Sequence, residues 1–229
     1  MKMKIELDIF ENKSVPLAVM SLAFPTVLSQ IVTIIYNFAD TWFVGRTENP
    51  DAVAAISVCM PLYIIITGIA NLFGIGGSSV ISRALGQKNR NRAEKAFSFS
   101  IWAGIAVSIV YSVVILFYAQ KLAPIIGADK NSSPYVVDYL FWTVVIGGVP
   151  TFFSTVLSHL ARSIGLSKIA AVGMALGAGL NLVFDPLFMF VLLPKGHEVA
   201  GAAIATLLSN IISCIFFIIV IIHILNFIK

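Results

Sequence analysis

Two residues that could do chemistry, Asn181 and Asp185, sit in the run Met174–Phe190, whose remaining side chains are apolar or absent. In hydrocarbon a carboxylate costs about 2.5–3.5 kcal/mol even on lenient insertion scales, so a retained one faces a wet cavity or a partner and marks a functional candidate. A spacing of four puts both side chains on one helix face. Pro186 offers no N–H to the carbonyl of Leu182, one turn earlier, and predicts a kink beside the acid. An amide, a carboxylate and a freed carbonyl together suit a small hard cation, or a proton held by the carboxylate.

Two other stretches could complete such a site. Ser29, Thr33, Tyr36 and Asp40 are spaced four, three and four apart, so one polar stripe runs along a helix face. Asp40 can be read as ending its helix at the outer interface beside Arg46 and Asp51; continuation of the stripe into apolar sequence favours an inward role. Thr206, Ser209, Asn210 and Ser213 form a second wetted face. Depth follows from the 1.5 Å helical rise: Asp40 is about 9 Å short of Arg46, Asp185 about 15 Å short of Lys195, and Thr206 about 12 Å past Glu198. Asp40, Asn181, Asp185 and Thr206 therefore fit one layer in the outer half of a bundle.

The elements that must carry this layer follow from composition. Of 229 residues, 59% are hydrophobic and 11% charged, and the mean hydropathy is +0.96. These values predict an all-α, multi-pass protein of the cell membrane rather than a soluble domain. Apolar runs at about 15–44, 52–82, 96–119, 135–161, 169–193 and 199–225 each exceed the roughly 20 residues needed to span hydrocarbon. Residues 1–14 form a separate N-terminal segment, and 15–226 a lobe of six transmembrane helices. Ile5, Ile9 and Phe10 among charges make that segment either amphipathic on the membrane surface or a disordered tail. The first apolar run is too long for a signal-peptide core and is expected to remain in the mature protein.

Lys2, Lys4, Lys13, Arg83, Lys88, Arg90, Arg92, Lys95, Arg162, Lys168 and Lys229 fall on one side of the spans, whereas Arg46, Lys121, Lys130 and Lys195 fall on the other. Both termini are thus expected in the cytoplasm. The net charge of +4 serves orientation and contact with anionic membrane lipids, not nucleic acid. Cys59 and Cys214 lie within spans and read as small core residues. Gly68, Gly74, Gly76 and Gly77 lack the lysine of a phosphate loop and read as close helix packing, as do Gly173 and Gly177. Tyr135, Asp138, Tyr139 and Trp142 read as an outer interfacial girdle. His159 is read as interfacial or hydrogen-bonded rather than as a proton relay. His159, His197 and His223 are scattered and there is no His-Glu-x-x-His, so no hydrolase is expected and no cofactor beyond a coupling ion.

Five segments together resemble the amino-terminal half of a multidrug and toxic compound extrusion (MATE) transporter. They are Pro25 with Tyr36-Asn-Phe-Ala-Asp40-Thr-Trp-Phe-Val-Gly45, Ser82-Arg-Ala-Leu-Gly86, Arg162-Ser-Ile-Gly165, Leu180-Asn-Leu-Val-Phe-Asp185-Pro-Leu-Phe-Met-Phe190 and Gly201-Ala-Ala-Ile-Ala-Thr206. The resemblance covers nearly the whole chain. It implies antiport, with cationic or amphipathic drugs exported as H⁺ or Na⁺ enters. Asp40, Asn181, Asp185 and Thr206 would form the cation site, a possible Na⁺ site included, and protons and Na⁺ would compete for it. Tyr36, Asn37 and Thr33 would line the adjoining cavity. Ser158-His159 departs from the family pattern, where an asparagine is often found. Such transporters have twelve spans, so the chain matches one lobe. Its second lobe would be a missing half or a second copy related by an axis along the membrane normal. Alternatives are a lipid or lipid-linked-sugar flippase of related architecture, or an inactive half-length fragment.

Overall fold

The computed structural model describes residues 14–47 and 49–228. The N-terminal segment 1–13, and with it the amphipathic reading, lies outside them. The described chain is helical throughout: α1 Val15–Gly45, α2 Pro50–Gly86, α3 Arg90–Ile125, α4 Ser133–Leu140, α5 Gly148–Ser163, α6 Ser167–Leu187 and α7 Glu198–Ile228. One π-helical turn, Phe141–Ile146, joins α4 to α5, and a second, Phe188–Leu192, extends α6. Five helices are long and apolar enough to cross a membrane, and α4 with α5 makes a sixth span bent by 49°. Several helices outrun the apolar runs because they end at caps, not at the lipid boundary. Asn49 Oδ1 accepts from the N–H of Asp51 and of Ala52 at 3.1 and 3.2 Å to start α2, and Asn89 Oδ1 accepts from Arg92 N–H at 3.0 Å to start α3.

Span four breaks where hydropathy shows only an uninterrupted run. Pro150 cannot bond the carbonyl of Ile146, and Gly147 N–H reaches back five residues to the carbonyl of Trp142 at 3.0 Å. A side chain at 147 would strike the carbonyl oxygens of Trp142 and Thr143 at 2.6–2.7 Å, so only glycine fits. The carbonyl of Val144 is taken by Ser112 Oγ–H, donating from α3 at 2.8 Å. Gly148 makes room for that hydroxyl, since a Cβ there would lie 2.6 Å from Ser112 Oγ. The break is thus stitched by a neighbouring helix instead of being left unsatisfied.

Packing forms two larger apolar clusters and one small one among the described residues. One gathers Ala55, Cys59, Leu62, Ile115, Ala119, Val136, Leu140, Met189 and Ala203. A second gathers Ala70, Ile81, Ala84, Ala93, Phe152, Val156 and Leu160 from α2, α3 and α5, and the small one joins Ala161, Leu166 and Ala170. Tyr139 belongs to the first cluster and is buried, a correction to its reading as an interfacial aromatic; Tyr135 and Trp142 are only partly buried. Both cysteines are buried and free. Small residues sit where helices come closest. A Cβ at Gly74 would meet His159, one at Gly77 Ser100, one at Gly104 the Phe152 ring, and one at Gly173 the Phe217 ring. Gly68 and Gly76 face open space, so only part of the span-two glycine cluster serves packing. Ser100, Gly104, Ser108 and Ser112 form a buried small-residue stripe on α3 at strict four-residue intervals. α1 packs chiefly against α6 and leaves most of its apolar face exposed.

Candidate functional site

α6 and α7 pack side by side because Gly173 and Gly177 let Phe217 and Ser213 approach. That contact aligns the polar face of each helix. Asn181 Nδ2–H donates to Asp185 Oδ1 at 3.0 Å and to Thr206 Oγ1 at 3.4 Å. Asn181 and Asp185 are buried, at 3% and 0% exposure. Asp40 on α1, half-buried, lies close enough to Asp185 for the two carboxyls to act on one another electrostatically. The layer derived from helix rise is therefore a spatial cluster, with three members hydrogen-bonded and the fourth across the α1–α6 contact.

Two oxygens in this cluster, Asn181 Oδ1 and Asp185 Oδ2, are buried without a hydrogen-bond partner. An unsatisfied buried acceptor is costly, and a carboxylate oxygen most of all. A small cation or a proton is the kind of partner that could satisfy such oxygens. All the donors are oxygens, the set that suits hard ions. Among the described residues no three His, Cys, Asp or Glu side chains gather as a metal site.

Next to the cluster lies a polar cavity of about 460 Å³ between α1, α2, α5, α6 and α7. Asn181 and Thr206 line it, as do Thr33 and Tyr36; the side chain of Asn37 lies outside the described set. On the α7 wall, Asn210 Nδ2–H donates to Thr151 Oγ1 at 3.0 Å and Asn210 Oδ1 accepts from Ser154 Oγ–H at 3.4 Å, with Tyr63 beside them. His159 Nε2 is 3.1 Å from Asn71 Oδ1, a hydrogen bond in the tautomer protonated at Nε2. Arg162, counted in the sequence among the orienting charges, also lines the cavity. Asn71, Tyr63, Thr151 and Arg162 were not picked out as cavity groups from sequence. The signal for Asn71 was present, an amide deep in an apolar run, but nothing in span four fixes which face Thr151 occupies once the helix breaks at Gly147.

The MatE family profile matches residues 25–187. The chain belongs to the MatE family. It is similar to the multidrug export protein MepA of Staphylococcus aureus (strain MRSA252), 34% identical over 219 residues covering 93% of this chain and 47% of that protein. MepA of Staphylococcus haemolyticus is 33% identical over 215 residues, covering 93% and 46%. Among solved structures, a MATE transporter in the straight conformation superposes with a TM-score of 0.85 at 27% identity, covering 93% of this chain and 46% of that one. A MOP superfamily transporter from Pyrococcus furiosus gives 0.81 at 27% identity, covering 95% and 47%. The chain spans about half the length of these relatives, so it corresponds to one lobe of a MATE-type, multi-pass membrane transporter.

Proposed function

We propose that this MatE lobe carries the coupling-ion site of a multidrug exporter, with Asp40, Asn181, Asp185 and Thr206 binding Na⁺ or H⁺. The observation that carries the reading is the pair of unpartnered buried oxygens, Asn181 Oδ1 and Asp185 Oδ2, beside a polar cavity that Asn181 itself lines. Ion entry satisfies those oxygens and draws Asp40 on α1 towards α6. Ion release restores the repulsion. Because α1 is held mainly by α6, this one contact can bias the lobe between two packings, opening or closing the cavity to substrate in antiport. The named multidrug export of MepA supports drugs as the substrates, and the MATE resemblance favours amphipathic or cationic ones. Thr33, Tyr36 and, by the family motif, Asn37 form their wall.

A single lobe has nothing to move against, and half-length coverage of the relatives supports a second six-helix lobe as partner, supplied by another chain or a second copy. Surrounding lipid is the other partner, with Arg83, Lys88, Arg92 and Lys95 facing anionic headgroups.

The test is efflux of ethidium, under an imposed Na⁺ or pH gradient, from cells expressing the chain or a two-lobed parent that supplies the second lobe, with Asp185→Asn as the variant. Coupled efflux should fall to the level of cells without the chain. Undiminished coupled efflux in Asp185→Asn overturns the assignment.

A further inference from the structure

The far end of the cavity from Asp185 carries a positive charge that the ion site does not use. Arg162, in the last turn of α5, lines the cavity. Its Nη1–H donates to Ser158 Oγ at 3.2 Å and its Nη2–H points to Met174 Sδ at 2.9 Å. Nε is buried with no partner. Among the described residues Arg162 makes no salt bridge. A guanidinium in this position is expensive, since burial removes water and only a paired, well-bonded charge recovers the loss. One of its two present partners is poor, since a thioether is a weak acceptor.

The groups around it favour an anion. His159 and Asn71 stand at the same end of the cavity, joined at 3.1 Å, and Thr155 adds a hydroxyl to the lining. A planar guanidinium fork matches the two oxygens of a carboxylate or phosphate, and displacing Met174 from Nη2 frees one prong for such a pair. Met174 precedes Asn181 by seven residues on α6, which sets the two ends of the cavity about 10 Å apart along the helix. We infer that the Arg162 end of the cavity is an oxyanion seat, holding the carboxylate or phosphate of an amphiphile whose body fills the cavity towards Asn181.

The inference rests on reading the cavity as the substrate chamber, and it adds that among amphipathic cations the chamber prefers those that also carry a carboxylate or phosphate. Rhodamine B and its ethyl ester make a matched pair of probes, one keeping a free carboxylate and the other lacking it. Binding is read by fluorescence anisotropy with the full chain in phosphatidylcholine nanodiscs, so no transport is required. Wild type should bind rhodamine B about tenfold tighter than the ester, the scale of one charge-assisted hydrogen bond. Arg162→Gln should reduce that preference to within about twofold with ester binding retained or strengthened, because a like charge is removed, and Arg162→Lys should keep part of the preference. Retained ester binding also shows that the variant cavity is folded.

Three results overturn the seat: equal affinity for both probes in wild type, an unchanged preference in Arg162→Gln, or parallel loss of both probes in the Gln and Lys variants. Failure of wild type to bind either probe removes the substrate chamber as well, which separates the two failures. Replacing part of the phosphatidylcholine with phosphatidylglycerol identifies the source of the oxyanion. Selective loss of rhodamine B binding then assigns the seat to a lipid headgroup; unchanged binding assigns it to a solute. Both results support an oxyanion seat.

Discussion

An alanine at Gly201 has nowhere to put its methyl group. A Cβ there would lie 2.9 Å from Met189 Cα and from the carbonyl carbon and oxygen of Phe188, where 3.4–4 Å is ordinary contact. All three atoms are backbone of the π turn that ends α6, so no side chain can rotate away. α7 or the turn must move by at least about half an ångström, and overpacking of this kind costs about 1–3 kcal/mol. Gly179 on α6 has no atom within 4 Å of its Cβ position, so Gly179→Ala shares the gain in helix propensity without the clash. The comparison to make is the apparent melting temperature of the two variants in one detergent. At about 2–4 °C per kcal/mol for a chain of this size, Gly201→Ala should melt some 2–12 °C below Gly179→Ala. Melting temperatures equal within about 1 °C would refute the close approach of α7 to the π turn.

Thr206→Val keeps the volume and removes the hydroxyl that accepts from Asn181. It should weaken protection of the purified chain by Na⁺, or by protons, about tenfold in apparent affinity, read as the ligand concentration needed for a fixed thermal shift. Asn49→Ala removes the α2 cap and the 3.3 Å bond from Asn49 Nδ2–H to Tyr135 Oη, and should cost about 0.5–2 kcal/mol by denaturant titration. In the loop before α4, hydrogen bonds from the Ser132 hydroxyl and the backbone N–H groups of Ser132 and Asn131 hold the Asp129 carboxyl below its ordinary range. A lowered folded-state value means the loop gains order above the ordinary carboxylate range and loses it as pH falls through the lowered one. Amide-exchange protection factors of residues 129–132, taken against the intrinsic rate at each pH, should therefore fall on acidification, and at a higher pH in Ser132→Ala.

Much of this arrangement was legible because hydropathy and helical periodicity report the two things that matter most in lipid, crossing length and polar face. Asn181 and Asp185 had to share a face at a spacing of four, and helix rise put Thr206 and Asp40 at the same depth before any contact was known. What escaped was everything set by backbone choice or by side-chain direction. A π turn has the same composition as the α-helix around it, so Phe141–Ile146 left no mark in hydropathy; the hint lay in Gly147 and Pro150, whose joint effect depends on Ser112 from another helix. Tyr139 looked interfacial because tyrosine at a span end usually is, yet the break turns it into the core. Arg162 was counted by the sign of its charge, which gives a side of the membrane but not whether the side chain reaches out or folds back.

The pairing of α1 with α6 also has a bearing on how the lobe is made. Asp40 and Asp185 are 145 positions apart in the chain, and the helix carrying the first acid has its main neighbour in the helix carrying the second. At a synthesis rate of about 5–20 residues per second, α1 precedes α6 into the bilayer by roughly 7–30 s. Through that interval four intervening helical segments are inserted and packed while Asp40 is still without its companion. The cluster of Asp40, Asn181, Asp185 and Thr206 is consequently among the last features of the lobe to assemble, and a nascent chain stalled before span five lacks three of its four members.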